Sequence, residues 1–518
     1  MGRAEDRGPI GCRAESWEAE LRHFSFSCVA FLAAIGCGDE PTAAAPVPST
    51  IAATTQAPTV VVGAAVTPTP TFSVMGSDGK PLAGVPVTIT VLEGGGVLVG
   101  APTRTVAGTT SVGQWLAGTR AGRQTLQVKV DGLAPLTVVA NAIAGPAAQV
   151  VSVSGNGKRT LAGTTMAEPL VMQVLDQFGN AVANERVNYT LDAGDATLLP
   201  VQVTTDAVGN TAPATWRLGV KKREVTGRAT LASNPAISTA LRAEFQSDYQ
   251  IEVRFSGTAS DAIRQAFERA ADRIAGIITG DVADQFLANF NPSNCGGPVG
   301  AVTETVDDVV IYADVSDIDG PGKVLGRAGP CVTRSTSRHT VVGLMQFDVA
   351  DAQNLVNSGR FEAVVTHEML HVIGVGSLWR AKNLLEGDVA VDPRFVGARG
   401  TAGCLVIGFA TACAVGSVPV ENTGGSGTAG AHWRESVFDA ELMTGFAEAT
   451  AAMPFSALTV GSLEDFGYVV NAGAADPFNV AALARLFPTP GATGVPELDV
   501  VLAPRLEVTP AGWFRPWR

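Results

Sequence analysis

One pattern restricts the fold of this chain more than any other: short Val/Thr/Leu runs of alternating polarity, broken by Gly, Pro, Asp and Asn, that recur at a spacing of about 100 residues. Gly79, Ala83, Val87 and Thr90 return as Gly179, Ala183, Val187 and Thr190, and Trp115 with Gly118 returns as Trp216 with Gly219. Alternation of period two buries one face of a strand, and turns at this density fold strands back antiparallel. Two copies of one β-sandwich are therefore expected, over residues 59–145 and 146–247. The composition agrees, since only 16% of residues are charged while Gly numbers 58, which suits turn-rich sandwiches better than helical bundles.

The run Asp78-Gly79-Lys80-Pro81-Leu82-Ala83-Gly84-Val85-Pro86-Val87-Thr88-Ile89-Thr90, with its echo from Phe178 to Thr190, resembles the immunoglobulin-like repeats of bacterial surface adhesins. Nothing in these repeats looks catalytic. They read as spacers that hold another domain off a membrane, with adhesion as the sharper alternative.

Ahead of the repeats, Phe24 to Gly36 is a short apolar run of the length of a signal-peptide core, too short to span a bilayer. It ends in Ala34-Ile35-Gly36-Cys37, which resembles a bacterial lipobox and implies lipidation of Cys37, with residues 1–37 as the export signal. An ordinary cleaved signal would instead leave a freely secreted protein. Residues 38–58, rich in Ala, Pro and Thr without apolar periodicity, read as a flexible linker. Cys295, Cys331, Cys404 and Cys413 are an even set for an oxidising compartment, so two disulfides are expected. Sequence allows three pairings, Cys295 with Cys331 and Cys404 with Cys413 among them. With 36 Lys+Arg against 49 Asp+Glu, a formal charge of -13 and no long basic run, nucleic acid is excluded as a partner.

From Tyr249 the texture changes. Tyr249 to Phe255, Asp308 to Val315 and Thr340 to Phe347 read as strands. Ser260 to Ile278 puts Ile263, Ala266, Phe267, Ala270, Ile274 and Ile277 on one helical face, and Gly359 to Ile373 reads as a second helix. The chain is thus expected to be multidomain, two all-β sandwiches followed by an α+β domain over residues 248–478. Residues 479–518, rich in proline without a clear period, read as a loosely ordered C-terminal tail.

The α+β segment carries His367-Glu368-Met369-Leu370-His371 within an expected helix. Residues four apart share a helix face, so both imidazoles can reach one metal ion, and Glu368 beside them can take a proton from water without ligating. Catalytic zinc usually takes three protein ligands. The usual continuation H-E-x-x-H-x-x-G-x-x-H is met at Gly374, which can end the helix in the left-handed conformation, but has Ser377 where the third histidine would stand. Outside the signal segment, His339 and His432 remain as candidates.

Gly374, then Gly430-Ala431-His432-Trp433-Arg434-Glu435, then Glu441-Leu442-Met443-Thr444-Gly445, resembles the leishmanolysin family of zinc peptidases, in which a long insertion separates the helix glycine from the third histidine and a methionine turn follows. The resemblance covers roughly residues 300–475. It implies a metzincin-type catalytic domain holding one zinc ion on His367, His371 and His432, Glu368 as general base, Met443 in the turn, and peptide or protein substrates. His339, after Ser-Thr-Ser-Arg, reads as a loop histidine, and Tyr468 as packing. Asp314, Asp317 and Asp319 before Gly320-Pro321-Gly322 could gather oxygens for calcium, although an acidic turn after a strand is commoner. The expectation is a zinc endopeptidase of the bacterial cell envelope, lipid-anchored and facing outward, or secreted. The competing class is a non-enzymatic adhesin whose zinc domain is structural.

Overall fold

The computed structural model describes residues 45–55, 57–425, 427–447, 453–478, 495–496 and 499–517. The export segment with Cys37, linker residues 38–44 and tail residues 479–494 lie outside the described residues.

The repeat folds as the alternation dictates. In the first copy a four-stranded sheet, ordered Thr59–Val61, Leu136–Ile143, Gly122–Lys129 and Thr88–Glu93, accompanies a three-stranded sheet containing Thr71–Gly76. In the second copy a five-stranded sheet accompanies the pair Ala147–Ser154 and Val171–Asp176. Strands Thr71–Gly76 and Val171–Asp176 bury the same alternate positions, and Trp115 and Trp216 fill equivalent places, each 1% exposed.

The first sandwich begins earlier than the sequence suggested. Pro48–Ala53, expected in the linker, pairs antiparallel with Thr71–Gly76, Ile51 opposite Val74. An edge strand is held by backbone hydrogen bonds, so it needs no apolar stripe of its own. Only Pro48 and Ile51 of this strand are even half-buried, which is why composition alone reads as a tether.

The α+β layer contains β1 (Ile251–Phe255), α1 (Asp261–Ile277), β2 (Val309–Ser316), β3 (Gly326–Arg334), β4 (Thr340–Asp348), α2 (Val349–Asn357), α3 (Phe361–Ile373), α4 (Ala398–Val406), α5 (Ala457–Phe466), β5 (Asp499–Val501), β6 (Leu506–Val508) and β7 (Phe514–Pro516). Its seven-stranded sheet runs β1-β2-β4-β3-β6-β7, with β5 also on β3. The pairs β1 with β2 and β2 with β4 are parallel, and β3 is antiparallel to β4. Ser260 caps α1 by accepting from the Ile263 amide, and all six residues of its expected apolar face are buried. Phe267, Phe347 and Phe361 meet edge to face, centroids 5.4–6.2 Å apart, and fix α1 and α3 against the sheet.

The end of the chain also departs from expectation. Where a loosely ordered tail was expected, β5 and β6 pair in parallel with β3, and β7 pairs with β6. Their partner lies more than 160 residues upstream, for example Thr333 opposite Glu507, and no local period records such a pairing.

Both disulfides, Cys295–Cys331 and Cys404–Cys413, are formed. The second sandwich shares one continuous buried core with the α+β layer, including Phe245, Tyr249, Ile274 and Tyr468. Asn471 Nδ2 donates to Ala162 O at 2.8 Å, and the Arg223 amide to Asp272 at 3.2 Å, across the same junction. Among the described residues no helix is long and apolar enough to cross a membrane.

Candidate metal centre

Helix α3 carries His367, Glu368 and His371, each fully buried. It ends at Gly374, whose φ of +119° is left-handed and whose amide donates back to Leu370 and His371 carbonyls. A side chain there would be strained and would also meet the Phe466 ring at 2.8 Å. The turn returns the Val375 carbonyl to the histidine face, where it accepts from His371 Nδ1 at 2.9 Å. Ser377, at the place of the missing histidine, donates its hydroxyl to His371 O. Tyr468 donates to Ile373 O at 2.9 Å and buttresses the helix end.

His432 arrives from 61 residues downstream of His371. Burial carries it there: Trp379, just after the helix, packs on Trp433 at 4.5 Å and on Phe395 at 5.1 Å, all three with no exposure. Gly376 passes so close to Ala431 that a Cβ would lie 1.9 Å from its carbonyl oxygen, so only glycine admits this approach. Glu421 anchors the strand beside it, its carboxylate accepting from the amides of Asn422, Thr423 and Glu435 and from the Thr423 hydroxyl. Burial alone would raise that carboxyl, but these bonds outweigh it and hold it below its ordinary value. Sequence reasoning passed over Trp379, Gly376 and Glu421; the signal for the first was a tryptophan five residues after the helix-ending glycine.

The three imidazoles converge. His367 Nε2 lies 3.0 Å from His371 Nε2 and 3.1 Å from His432 Nε2, and the last two are 2.9 Å apart. Each opposite nitrogen faces a backbone carbonyl: His367 Nδ1 to Leu442 O at 2.7 Å, His371 Nδ1 to Val375 O, and His432 Nδ1 to Thr428 O at 3.0 Å. A carbonyl only accepts, so each ring donates from Nδ1 and turns its Nε2 toward the point the three rings share. Three lone pairs at this separation repel unless a cation lies between them. A triangle of about 3 Å edge has a point slightly above its plane that is about 2 Å from every corner, the zinc–nitrogen distance. The donor set therefore fits zinc, and carbonyls on the far ring nitrogens are the usual support for such ligands.

Below the histidines, Glu441-Leu442-Met443-Thr444 makes a tight turn in which the Thr444 amide and hydroxyl bond Glu441 O, and the Trp433 amide bonds Met443 O. Met443 is fully buried. Glu441, also fully buried, accepts from the amides of Met443 (2.6 Å) and Ser456 (3.3 Å) and from the hydroxyls of Ser456 and Thr459 (both 2.6 Å). Burial pushes its carboxyl up.

His339 lies in the loop between β3 and β4, and is buried there between Tyr468 and Phe466, ring centroids 4.5 and 5.3 Å away. Burial, with Lys382 and Arg334 nearby, pushes it down to about 3. Its polar neighbours in sequence concealed an aromatic pocket built from distant residues. Asp314, Asp317 and Asp319 do not gather their oxygens, and among the described residues only the three histidines and Asp281, Asp307 and Asp308 bring metal-type donors together. The acidic turn is organised by Asp348, which accepts from the amides of Ile318, Asp319 and Gly320.

Residues 279–484 match the leishmanolysin peptidase family model. No curated protein matches the chain. Among solved structures, the Escherichia coli adhesin FdeC is similar at 19% identity over 39% of this chain and 64% of that one, with a TM-score of 0.28. The Yersinia pseudotuberculosis adhesin InvE matches at 19% identity over 39% of this chain and 59% of that one, TM-score 0.19, and the bacterial integrin-binding protein invasin at 20% over 38% and 39%, TM-score 0.21. The chain thus spans under two thirds of each of these three.

Proposed function

We propose that residues 248–478 form a zinc-dependent, metzincin-type endopeptidase that hydrolyses peptide bonds of extracellular proteins, one zinc ion per chain held by His367, His371 and His432. The observation that carries this reading is the meeting of three Nε2 atoms about 3 Å apart, with every Nδ1 committed to a carbonyl. When bound, zinc supplies a Lewis acid that polarises the scissile carbonyl and acidifies the attacking water. Glu368 takes the proton of that water on its carboxylate and returns it to the leaving amine nitrogen. The carbonyls of Leu442, Val375 and Thr428 keep the imidazoles oriented, Gly374 turns the chain back to supply one of them, and Met443 closes the apolar floor. The two sandwiches, the first including the strand Pro48–Ala53 and the second reaching residue 247, then stand between this domain and a lipid anchor on Cys37, on the outer side of a bacterial envelope.

The test is Glu368→Gln, which keeps the three imidazoles and removes the base. Wild-type protein is expected to cleave casein, chelator to abolish the cleavage, and the variant to retain zinc while losing a hundredfold to ten-thousandfold in rate. A zinc-loaded wild type that cleaves nothing, even after limited proteolysis to release latency, overturns the peptidase reading.

A further inference from the structure

A cavity of about 410 Å³ lies where the second sandwich, α1 and α3 meet. Thr366, in its wall, immediately precedes His367, and Leu442, also in its wall, gives the carbonyl that His367 Nδ1 meets. The cavity is therefore one residue removed from the first histidine along two separate segments. Its charged lining comes from four parts of the chain: Lys221 from the second sandwich, Arg273 from α1, Glu362 from α3 and Asp476 beyond α5.

The carboxylates there are already engaged. Glu362 pairs with Arg269 at 2.6 Å, and Asp476 with Arg273 Nη2 at 3.0 Å while accepting from the Phe455 amide. The cations are not saturated. Arg273, 6% exposed and stacked 5.3 Å from the Phe455 ring, has no acceptor for Nη1 among the described residues. The Lys221 ammonium is exposed and pairs with no carboxylate among the described residues. In the lining, both carboxylates are thus engaged while Arg273 keeps a buried donor to spare. A buried guanidinium N–H without an acceptor is costly, and an incoming carboxylate would remove that cost while adding a charge-assisted bond. A doubly charged tetrahedral anion is the poorer match, because Glu362 and Asp476 line the same space.

We propose that this cavity is a substrate subsite that takes an acidic side chain of the peptide, recognised by Arg273 and Lys221. The proposal rests on the peptidase reading above. It makes the second sandwich part of the substrate-binding surface, consistent with the continuous core it shares with the α+β layer.

The experiment is cleavage of a peptide library by the full zinc-loaded chain, read by mass spectrometry, followed by kcat/KM for peptide pairs that differ only as Glu against Gln at the enriched position. Acidic residues should be enriched at one position flanking the scissile bond, and the Glu peptide should be preferred by about tenfold or more, the size of one charge-assisted hydrogen bond. In Lys221→Glu, an exposed substitution that spares the core, that ratio should fall toward one; Arg273→Gln, checked for folding by circular dichroism, should lower it as well. Amidated and free peptide C-termini separate a side-chain carboxylate from a chain end. Cleavage without acidic enrichment, or a ratio untouched by both variants, overturns this proposal and leaves the peptidase reading standing. No cleavage of any peptide overturns both.

Discussion

Removing the Glu441 carboxylate tests how the methionine turn and the first histidine are held in place. Its four donors fall into two kinds: the hydroxyls of Ser456 and Thr459 can rotate to other acceptors, whereas the amides of Met443 and Ser456 are fixed by the backbone. Leaving a buried amide without an acceptor costs about 1–3 kcal/mol, so Glu441→Ala forfeits roughly 2–6 kcal/mol on the two amides. Part is offset, because the carboxylate is itself unfavourably buried and its pKa is pushed up for that reason. The net expectation is a loss of about 2–4 kcal/mol. Glu441→Gln can keep its oxygen toward the Ser456 amide and the Ser456 and Thr459 hydroxyls, but its NH2 then faces the Met443 N–H, donor against donor, so one backbone amide is left without an acceptor and the loss should be about 1–3 kcal/mol. The assay is the urea midpoint by tryptophan fluorescence, since Trp433 Nε1 donates to Thr459 Oγ1 at 2.8 Å beside the lost group. The second readout is the rate of zinc loss to a chelator, because the Leu442 carbonyl that orients His367 lies between Glu441 and Met443. A Glu441→Ala protein with wild-type midpoint and wild-type zinc retention would refute the clamp.

Elemental analysis should find zinc at one per chain, with His432→Ala and His371→Ala losing it alike and His339→Ala keeping it; the reverse pattern would transfer the third-ligand role to His339. The Asp348 carboxyl, which burial alone would raise, is held below its ordinary 3.8 by the amides of Ile318, Ala350, Gly320 and Asp319. A depressed folded pKa gives stability that is complete above the unfolded value and is lost as pH falls through the folded one. Unfolding midpoints should therefore drop below about pH 4, and Asp348→Asn should lower the neutral midpoint while flattening that acid limb. If Cys37 is lipidated, the mature protein should partition into detergent and Cys37→Ser should not; an unmodified N-terminus elsewhere by mass spectrometry would count against the anchor.

The contrast between what the chain announces and what it conceals follows the range of the interactions. Period-two alternation and the i, i+4 histidines are local, so both sandwiches, the helix with His367 and His371, and the Gly374 turn were legible directly. His432 was not. Residue logic left it level with His339, and only the family resemblance separated them, because the choice is made by burial: His432 travels with Trp433 into the Trp379 and Phe395 cluster, whereas His339 is enclosed by Phe466 and Tyr468 on the far side of α3's end. Strand β3 was missed for the same reason, since Gly329 and Pro330 spoil its pattern while its pairing with β4 and with residues beyond 498 supplies the stabilisation. The same long-range packing sets the limits of the domains. A second sandwich that shares its core with α1 and helps line a cavity next to His367 cannot be a free spacer, so any change that loosens that junction, at Asn471 or Arg223, should reach the histidine site through α1 and α3 before it reaches the first sandwich.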